Sequence, residues 1–332
     1  MPSSPATPHP RIALVTEHRF LSYRAAWDDP YLANLLHEDR LLQAALARRG
    51  VDAQRVAWDG PEPGWGRFAG AVLRSTWNYS QRAAEFGAWL ERLAGHLPLC
   101  NPLPYLRWNL DKAYLADLES AGLPVLPTHY LEAGDTARLE TIATSHLEDG
   151  ATARLEALLD HLGWEELVLK PRISAGGRLT RRLAARDLAR WPEEILAGLE
   201  QEPFILQPFQ PAVQTEGEDS LMLLGGRYSH AVRKRPRAGD FRVQDDYGGS
   251  VARRHPEPAQ RALAEAALAA AARHLDQAPP AYGRVDLLRG QDGSWRIIEL
   301  ELLEPELWLR QHPPAAEAFA AAVLEQLRLQ GA

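Results

Sequence analysis

The feature that most constrains this chain is a pair of short alternating strands near its end, Gly283–Leu288 and Trp295–Leu300, joined through Asp292-Gly293. Asp-Gly between two such runs is the strongest short-range hairpin signal. With those two residues as the turn, positions placed symmetrically about Gln291 and Ser294 face each other, so Asp286 lies opposite Glu299. Glu301 shares the face of Glu299, because side chains alternate along a strand. Like charges directly opposite one another destabilise a sheet. The three carboxylates leave two readings open: a solvated acidic edge, or a bound cation for which all-oxygen ligation favours magnesium.

The rest of the chain narrows the setting. With 332 residues it is long enough for a large core and for two or three subdomains. Hydrophobic residues at 45% and charged residues at 24% are ordinary for a globular protein, and a net charge of −7 argues against a nucleic-acid partner. The single cysteine, Cys100, cannot form an internal disulfide, fits a reducing cytoplasm, and reads as a small apolar packing residue. Met1–Pro10 lacks the apolar stretch of a signal peptide, and no segment has the apolar length of a membrane span. The expectation is a cytoplasmic protein without a membrane partner, with a homodimer as the default assembly.

Arg11–Val15 reads as a strand, Leu35–Arg49 as a helix stopped by Gly50, and Val51–Trp58 and Ala71–Leu73 as further strands. That order predicts a small α/β unit with a largely parallel sheet. The segment after its last strand, Arg74-Ser75-Thr76-Trp77-Asn78-Tyr79, lies where open α/β sheets gather ligands. It reads either as a substrate loop, with Arg74, Ser75 and Thr76 as contacts, or as a turn into a helix Arg82–Ala94 capped by Ser80. The aromatic-rich stretch holding His18, Arg19, Tyr23, Trp27 and Tyr31 either lines the same cleft or packs on itself as a surface loop. Further on, Asp111–Ala121 is a helix, Gly134–Gly163 a polar peripheral insert and Trp164–Lys170 a strand. Ser220–Leu224 and Arg227–Arg233 form a second hairpin turning at Gly225-Gly226, and Arg261–Leu275 is an alanine-rich helix.

Strand Leu167–Lys170 runs into Pro171-Arg172-Ile173-Ser174-Ala175-Gly176-Gly177. Glycines and a hydroxyl after a strand let backbone N–H groups close on phosphate oxygens, although an ordinary turn also explains them. The pattern is neither a P-loop nor a dinucleotide fingerprint. Lys170 closes an otherwise apolar strand, and a phosphate is a good destination for its charge. Lys112 opens an amphipathic helix, where an exposed surface lysine is the competing reading. Phe204-Ile205-Leu206-Gln207-Pro208-Phe209 is an apolar strand ending in a polar residue and proline, which can flank a purine. Glu218 follows, placed to accept hydrogen bonds from sugar hydroxyls. Lys234 and Arg242 come after the second hairpin, and cations beside a metal–phosphate site neutralise charge that develops during phosphoryl transfer.

Lysine, lysine with glycine loop, hinge strand, acid, cations and acidic hairpin, in that order, resemble the ATP-grasp superfamily over Asn101–Leu309. The chain is most similar to the glutathione-synthetase-like branch and, within it, to the cyclo-ligases of cycloserine biosynthesis. The shared features are Leu73–Tyr79, Trp108-Asn109-Leu110-Asp111-Lys112, Lys170–Gly177, Ser229–Lys234 and Glu299-Leu300-Glu301-Leu302-Leu303-Glu304-Pro305. The resemblance implies an α/β fold: an N-terminal pre-ATP-grasp substrate domain (11–101), a central and lid subdomain (102–207) and a C-terminal subdomain with the metal site (208–330). The last two would clasp ATP. Lys112 and Lys170 would hold its phosphates under the lid loop Ser174–Gly177, including Gly176, and Gln207, Pro208 and Phe209 would flank adenine. Glu218 would take the ribose, and Lys234 and Arg242 the transferred phosphoryl group. Asp286, Glu299 and Glu301 would bind Mg2+, with Mn2+ as a substitute, and Glu304 would stand beside the acceptor. Two departures stand out: Glu301 where many relatives have asparagine, and Glu306 where a serine is expected. The implied activity is carboxylate–amine ligation through an acyl phosphate on a small amino-acid-like substrate. Its rivals are intramolecular cyclo-ligation, phosphoryl transfer without ligation, and non-catalytic ATP-binding regulation.

Overall fold

In the computed structural model the described residues are 9–21, 29–134, 150–186, 190–237, 239–243 and 248–329. Tyr23, Trp27 and half of the predicted insert Gly134–Gly163 lie outside them. Four strands, β1 (Arg11–Thr16), β2 (Asp52–Ala57), β3 (Gly70–Ser75) and β4 (Leu99–Cys100), form a parallel sheet in the order β2-β1-β3-β4. Every residue of β3 is buried, as expected of a strand covered on both faces. The helix Pro30–Ala47 starts earlier than periodicity predicts, because Asp29 accepts from the N–H groups of Tyr31 and Leu32 and Pro30 fits the first turn. Gly50, with φ of 70°, follows its end. Ser80 is not the cap of the next helix: its Oγ donates to the Trp77 carbonyl at 3.0 Å, and Ala83–His96 begins without a side-chain cap.

The C-terminal helix Ala315–Gln326 returns to this first sheet. Phe319 and Val323 share a core with Leu42, Leu46 and Val72, and Arg48 and Arg49 both pair with Glu317. Glu38, buried in the first helix, accepts the backbone N–H groups of Leu309 (2.7 Å) and Arg310 (2.8 Å). These bonds fix the segment that follows the acidic hairpin against the N-terminal unit.

A second sheet contains β5 (His129–Leu131), β6 (Glu166–Pro171), β7 (Arg181–Ala184) and β8 (Phe204–Pro208), in the antiparallel order β5-β8-β6-β7. Helices Gly150–Leu162 and Glu193–Gln201 contribute Leu155, Leu159 and Ile195 to its core. The third sheet joins β9 (Glu218–Leu224), β10 (Arg227–Arg235), β11 (Ser250–Arg254), β12 (Tyr282–Arg289) and β13 (Trp295–Glu301), in the antiparallel order β11-β10-β9-β12-β13. Helix Pro258–Leu275 packs its alanines on one face of that sheet, together with Tyr105 and Tyr114. The opposite face carries Glu218, Lys234, Arg284, Asp286, Glu299 and Glu301.

The loop of the β12–β13 hairpin has three residues, not two. Gly290 N–H donates to the Ser294 carbonyl at 2.8 Å, Gly293 N–H donates to Gly290 at 2.9 Å, and Gly293 takes φ of 77°. Near the turn, Leu287 therefore faces Ile297 and Leu288 faces Arg296. A bulge at Ile298 then shifts the register, and Asp286 faces Glu299 while Arg284 faces Glu301. The two single-residue departures from the simple hairpin cancel. Trp295 and Ile297 before the bulge, and Leu300 and Leu302 after it, all reach one core, whereas Ile298 joins Leu288 and Phe209 on the other side. Among the described residues no helix is long and apolar enough to cross a membrane.

Candidate active site

Ligand-capable oxygens of Asp286, Glu299 and Glu301 lie within 4.8 Å of one another on the polar face of the third sheet. Asp286 is the hub. Ser220 Oγ donates to its Oδ1 at 2.5 Å, Lys234 Nζ stands 3.2 Å from Oδ2, and Arg284 Nη2 2.8 Å from Oδ2. Burial alone would raise the Asp286 carboxyl, but Arg284 and Lys234 outweigh it and hold it well below the usual carboxylate range. Lys234 also pairs with Glu218, and Arg284 with Glu301. Glu299 belongs to a second set of cations: Lys112 Nζ lies 3.0 Å from Oε1 and Lys170 Nζ 3.9 Å from Oε2. Both lysines outweigh burial there and keep the Glu299 carboxyl low. Glu301 behaves differently. Burial, together with Glu299 and Asp286, pushes it up to about 7 despite Arg284.

The elements explain how these groups converge. β12 and β9 pair so that Asp286 faces Ser220, and β10 brings Lys234 opposite Glu218. Lys112 sits just before the helix Tyr114–Ser120; its N–H donates to the Arg172 carbonyl at 3.0 Å and its Nζ to the Ser174 carbonyl at 2.9 Å. The glycine loop is thus held over the same face, with Gly176 and Gly177 in the left-handed region that their missing side chains allow. Lys170, next to last in β6, lines the same cleft, where burial lowers its pKa.

Gln207, Pro208 and Phe209 also line that cleft, next to the apolar side chains Val168, Leu288 and Ile298. The Phe209 N–H donates to the Glu166 carbonyl at 2.9 Å and the Gln207 Nε2 to Thr128 Oγ1 at 3.0 Å, so the hinge is fastened inside its sheet. Arg242 lines the cleft as well, with its guanidinium on Asp240 at 2.9 Å.

Arg74, Ser75 and Thr76 are not at the cleft, and their predicted substrate role is corrected. Arg74 is buried, with Nε on Asp39 at 3.0 Å and Nη1 on the Pro305 carbonyl at 3.4 Å. Ser75 Oγ bonds Thr16 Oγ1 at 2.6 Å, and Thr76 is fully buried. The end of a parallel strand covered on both faces sends these side chains into the interior. The chain reaches the cleft in the residues that follow directly, through Trp77 and Tyr79. Of the aromatic-rich stretch, Tyr31 lines the cleft, while His18 and Arg19 are exposed and Arg19 pairs with Glu17. Glu304 and Glu306 both line the cleft; Glu306 pairs with Arg310.

Sequence reasoning missed Arg284, the cation that binds both Asp286 and Glu301. The signal was present, since the hairpin register that sets Asp286 against Glu299 also sets Arg284 against Glu301. Asn109 was quoted as part of a motif without a role. Its Nδ2 donates to the Leu300 carbonyl at 2.7 Å and its Oδ1 accepts from Leu302 N–H at 2.6 Å, gripping β13 between and beyond its two glutamates.

Comparisons with known proteins follow the same lines. The N-terminal domain family of D-cycloserine synthetase DcsG matches residues 12–101. The cycloserine biosynthesis protein DcsG of Streptomyces lavendulae is 36% identical over 295 residues, covering 84% of this chain and 90% of that protein. A glutathione synthetase of Prochlorococcus marinus (strain MIT 9313) is 38% identical over 97 residues, 29% of this chain and 30% of that protein. The crystal structure of D-cycloserine synthetase DcsG superposes with a TM-score of 0.80 at 33% identity, covering 96% of this chain and 99% of that one. A D-alanine–D-alanine ligase from Bacillus anthracis complexed with ATP has a TM-score of 0.60 at 14% identity over 96% of this chain and 97% of that chain, a likeness of fold. The chain belongs to the ATP-grasp ligases, in the family of the cycloserine biosynthesis protein DcsG.

Proposed function

We propose that this chain is an ATP-dependent carboxylate–amine ligase that forms an amide through an acyl phosphate on a small amino-acid-like substrate. The observation that carries this reading is the meeting of two cation sets, Lys112 with Lys170 and Lys234 with Arg284, on one cluster of three carboxylates beside an apolar slot. The residues fit Mg2+: Glu301 is pushed up to about 7, so a further cation beside it would relieve repulsion that Arg284 leaves in place. Asp286, Glu299 and Glu301 would hold the ion, which when bound neutralises charge on the phosphate oxygens.

Lys112 and Lys170 are suited to the nucleotide phosphates, with Ser174, Gly176 and Gly177 above them. The slot beside Gln207, Pro208 and Phe209 is suited to adenine, and Glu218 to the ribose hydroxyls. Lys234, Arg242 and Arg284 would stabilise the phosphoryl group as the substrate carboxylate attacks it. The amine then displaces phosphate. No covalent nucleophile of the protein is required, since positioning and electrostatics supply most of the catalysis. Cys100 is buried, its thiol pushed up by burial, and unsuited to such a role. We read 11–101 as the substrate unit and place ATP between 102–207 and 208–330.

A second reading, intramolecular cyclo-ligation, draws support from the identity with the cycloserine biosynthesis protein. The test is phosphate release from MgATP across a panel of small amino acids, with hydroxylamine present to trap an activated acid. Product mass separates the readings, because cyclisation removes one water from a single molecule and ligation joins two. ADP formation with no hydroxamate and no amide for any acid would sink both.

A further inference from the structure

The acceptor end of the cleft holds Glu301, Glu304 and Glu306, and their partners differ. Glu301 is paired with Arg284, and Glu306 with Arg310. Glu304 takes side-chain hydrogen bonds from Tyr79 and Trp77, is only 6% exposed, and keeps one oxygen, Oε2, buried without a hydrogen-bond partner among the described residues. It has no cation partner among them either: Arg284, the cation whose field it feels, is already engaged by Asp286 and Glu301. A buried carboxylate oxygen left unpaired is costly, so this position calls for a donor from outside the chain.

Resting on the ligase reading above, we propose that Glu304 receives the ammonium group of a small primary-amine substrate, between Trp77 and Tyr79. The aromatic wall favours a cation over a neutral donor. Trp77 lies 5.9 Å, centroid to centroid, from Tyr31, which also lines the cleft, and ring faces attract ammonium groups at such sites. Burial and the neighbouring Glu301 charge push the Glu304 carboxyl well above its usual range, a shift that an ammonium group beside it would reverse. Glu306 cannot do the same work while it neutralises Arg310, whose guanidinium also reaches Glu38 at 3.3 Å.

The test uses the full chain with Mg2+ and ADP bound, titrated calorimetrically with alaninamide, a small ammonium ion, and with N-acetylalaninamide, which lacks the charge. Alaninamide should bind and N-acetylalaninamide should not. In Glu304→Gln, alaninamide affinity should fall about tenfold or more, the scale of a lost charge-assisted hydrogen bond, while ADP affinity stays unchanged and reports the fold. Equal binding of the two amides, binding of neither, or unchanged alaninamide affinity in Glu304→Gln would overturn the proposal. The two wild-type titrations decide it even if the variant fails to fold. Wild-type protein that binds no ADP would overturn the nucleotide reading instead, so the two failures are distinguishable.

Discussion

Asp286 faces Glu299 because Ile298 is an extra residue in β13, compensating a hairpin loop one residue longer than the Asp-Gly signal predicts. With Ile298 present but not bulged, Glu299 would follow Trp295 and Ile297 into the apolar core, since a one-residue slip reverses every side chain. Deleting Ile298 removes the extra residue together with the bulge, so Glu299 should stay opposite Asp286 and Mg2+-dependent ADP binding should persist. Ile298→Val keeps the bulge and should cost only about 1 kcal/mol, with binding retained. Calorimetric titration and urea denaturation of both variants check this. A deletion variant that folds but no longer binds MgADP would show that this register does not set the site.

Arg284 stands where a bound cation would also act, between Asp286 and Glu301. Arg284→Met leaves two buried carboxylates short of positive charge, a change of the kind that costs about 3–5 kcal/mol. Added Mg2+ should recover part of that loss, because a divalent ion restores the missing charge. Urea denaturation with and without Mg2+ measures it. An equal loss under both conditions would argue against metal at the triad.

The parallel N-terminal sheet, both hairpins and the acidic cluster were legible in the sequence because each rests on local alternation or turn chemistry. Glu299 was placed correctly although the assumed turn was wrong. The adjacent pair Ile297-Ile298 breaks the period of two, and that break is the trace the bulge leaves in the sequence. Arg74 misled because its mixture of charge and position suits a substrate loop equally well. Only the folded chain brings Asp39, distant in sequence, to its guanidinium. Likewise, nothing local in the sequence couples Lys112 to Ser174, or returns helix Ala315–Gln326 to the first sheet. Nor does anything local show that Lys234 is buried between Glu218 and Asp286 and neutralises both.

Asn109 holds the exit of β13 without spending either end of its amide on a charged group. Besides Leu300 and Leu302, its Oδ1 accepts from Leu303 N–H at 3.2 Å, and Tyr114 OH accepts from Leu300 N–H at 3.0 Å. Asn109→Ala strands several buried backbone groups and should cost about 3 kcal/mol. It should also weaken Mg2+ binding, by loosening the segment that carries Glu299 and Glu301. Thermal denaturation and a Mg2+ titration of ATP turnover test the two effects. Lost stability with an unchanged Mg2+ requirement would confine Asn109 to a structural role.

His230 gives the stability of the fold a dependence on pH. It is buried beneath the Leu307–Trp308 segment, with Nε2 2.8 Å from the Leu307 carbonyl and its ring 5.2 Å from that of His312. Burial, with smaller contributions from His312 and Arg253, lowers its pKa to about 4. In the unfolded chain the imidazole titrates near an ordinary value of about 6.5, so between those values the unfolded state binds the extra proton. The folded state is then fully favoured above about pH 6.5 and loses about 3 kcal/mol as pH falls towards 4. Carboxylates such as Asp286 lose stability in the same direction, so the comparison must be a difference. The gap in unfolding free energy between wild type and His230→Asn should narrow steadily from pH 7 to pH 4.5. A gap independent of pH over that interval would show that His230 is as readily protonated inside the fold as in the unfolded chain.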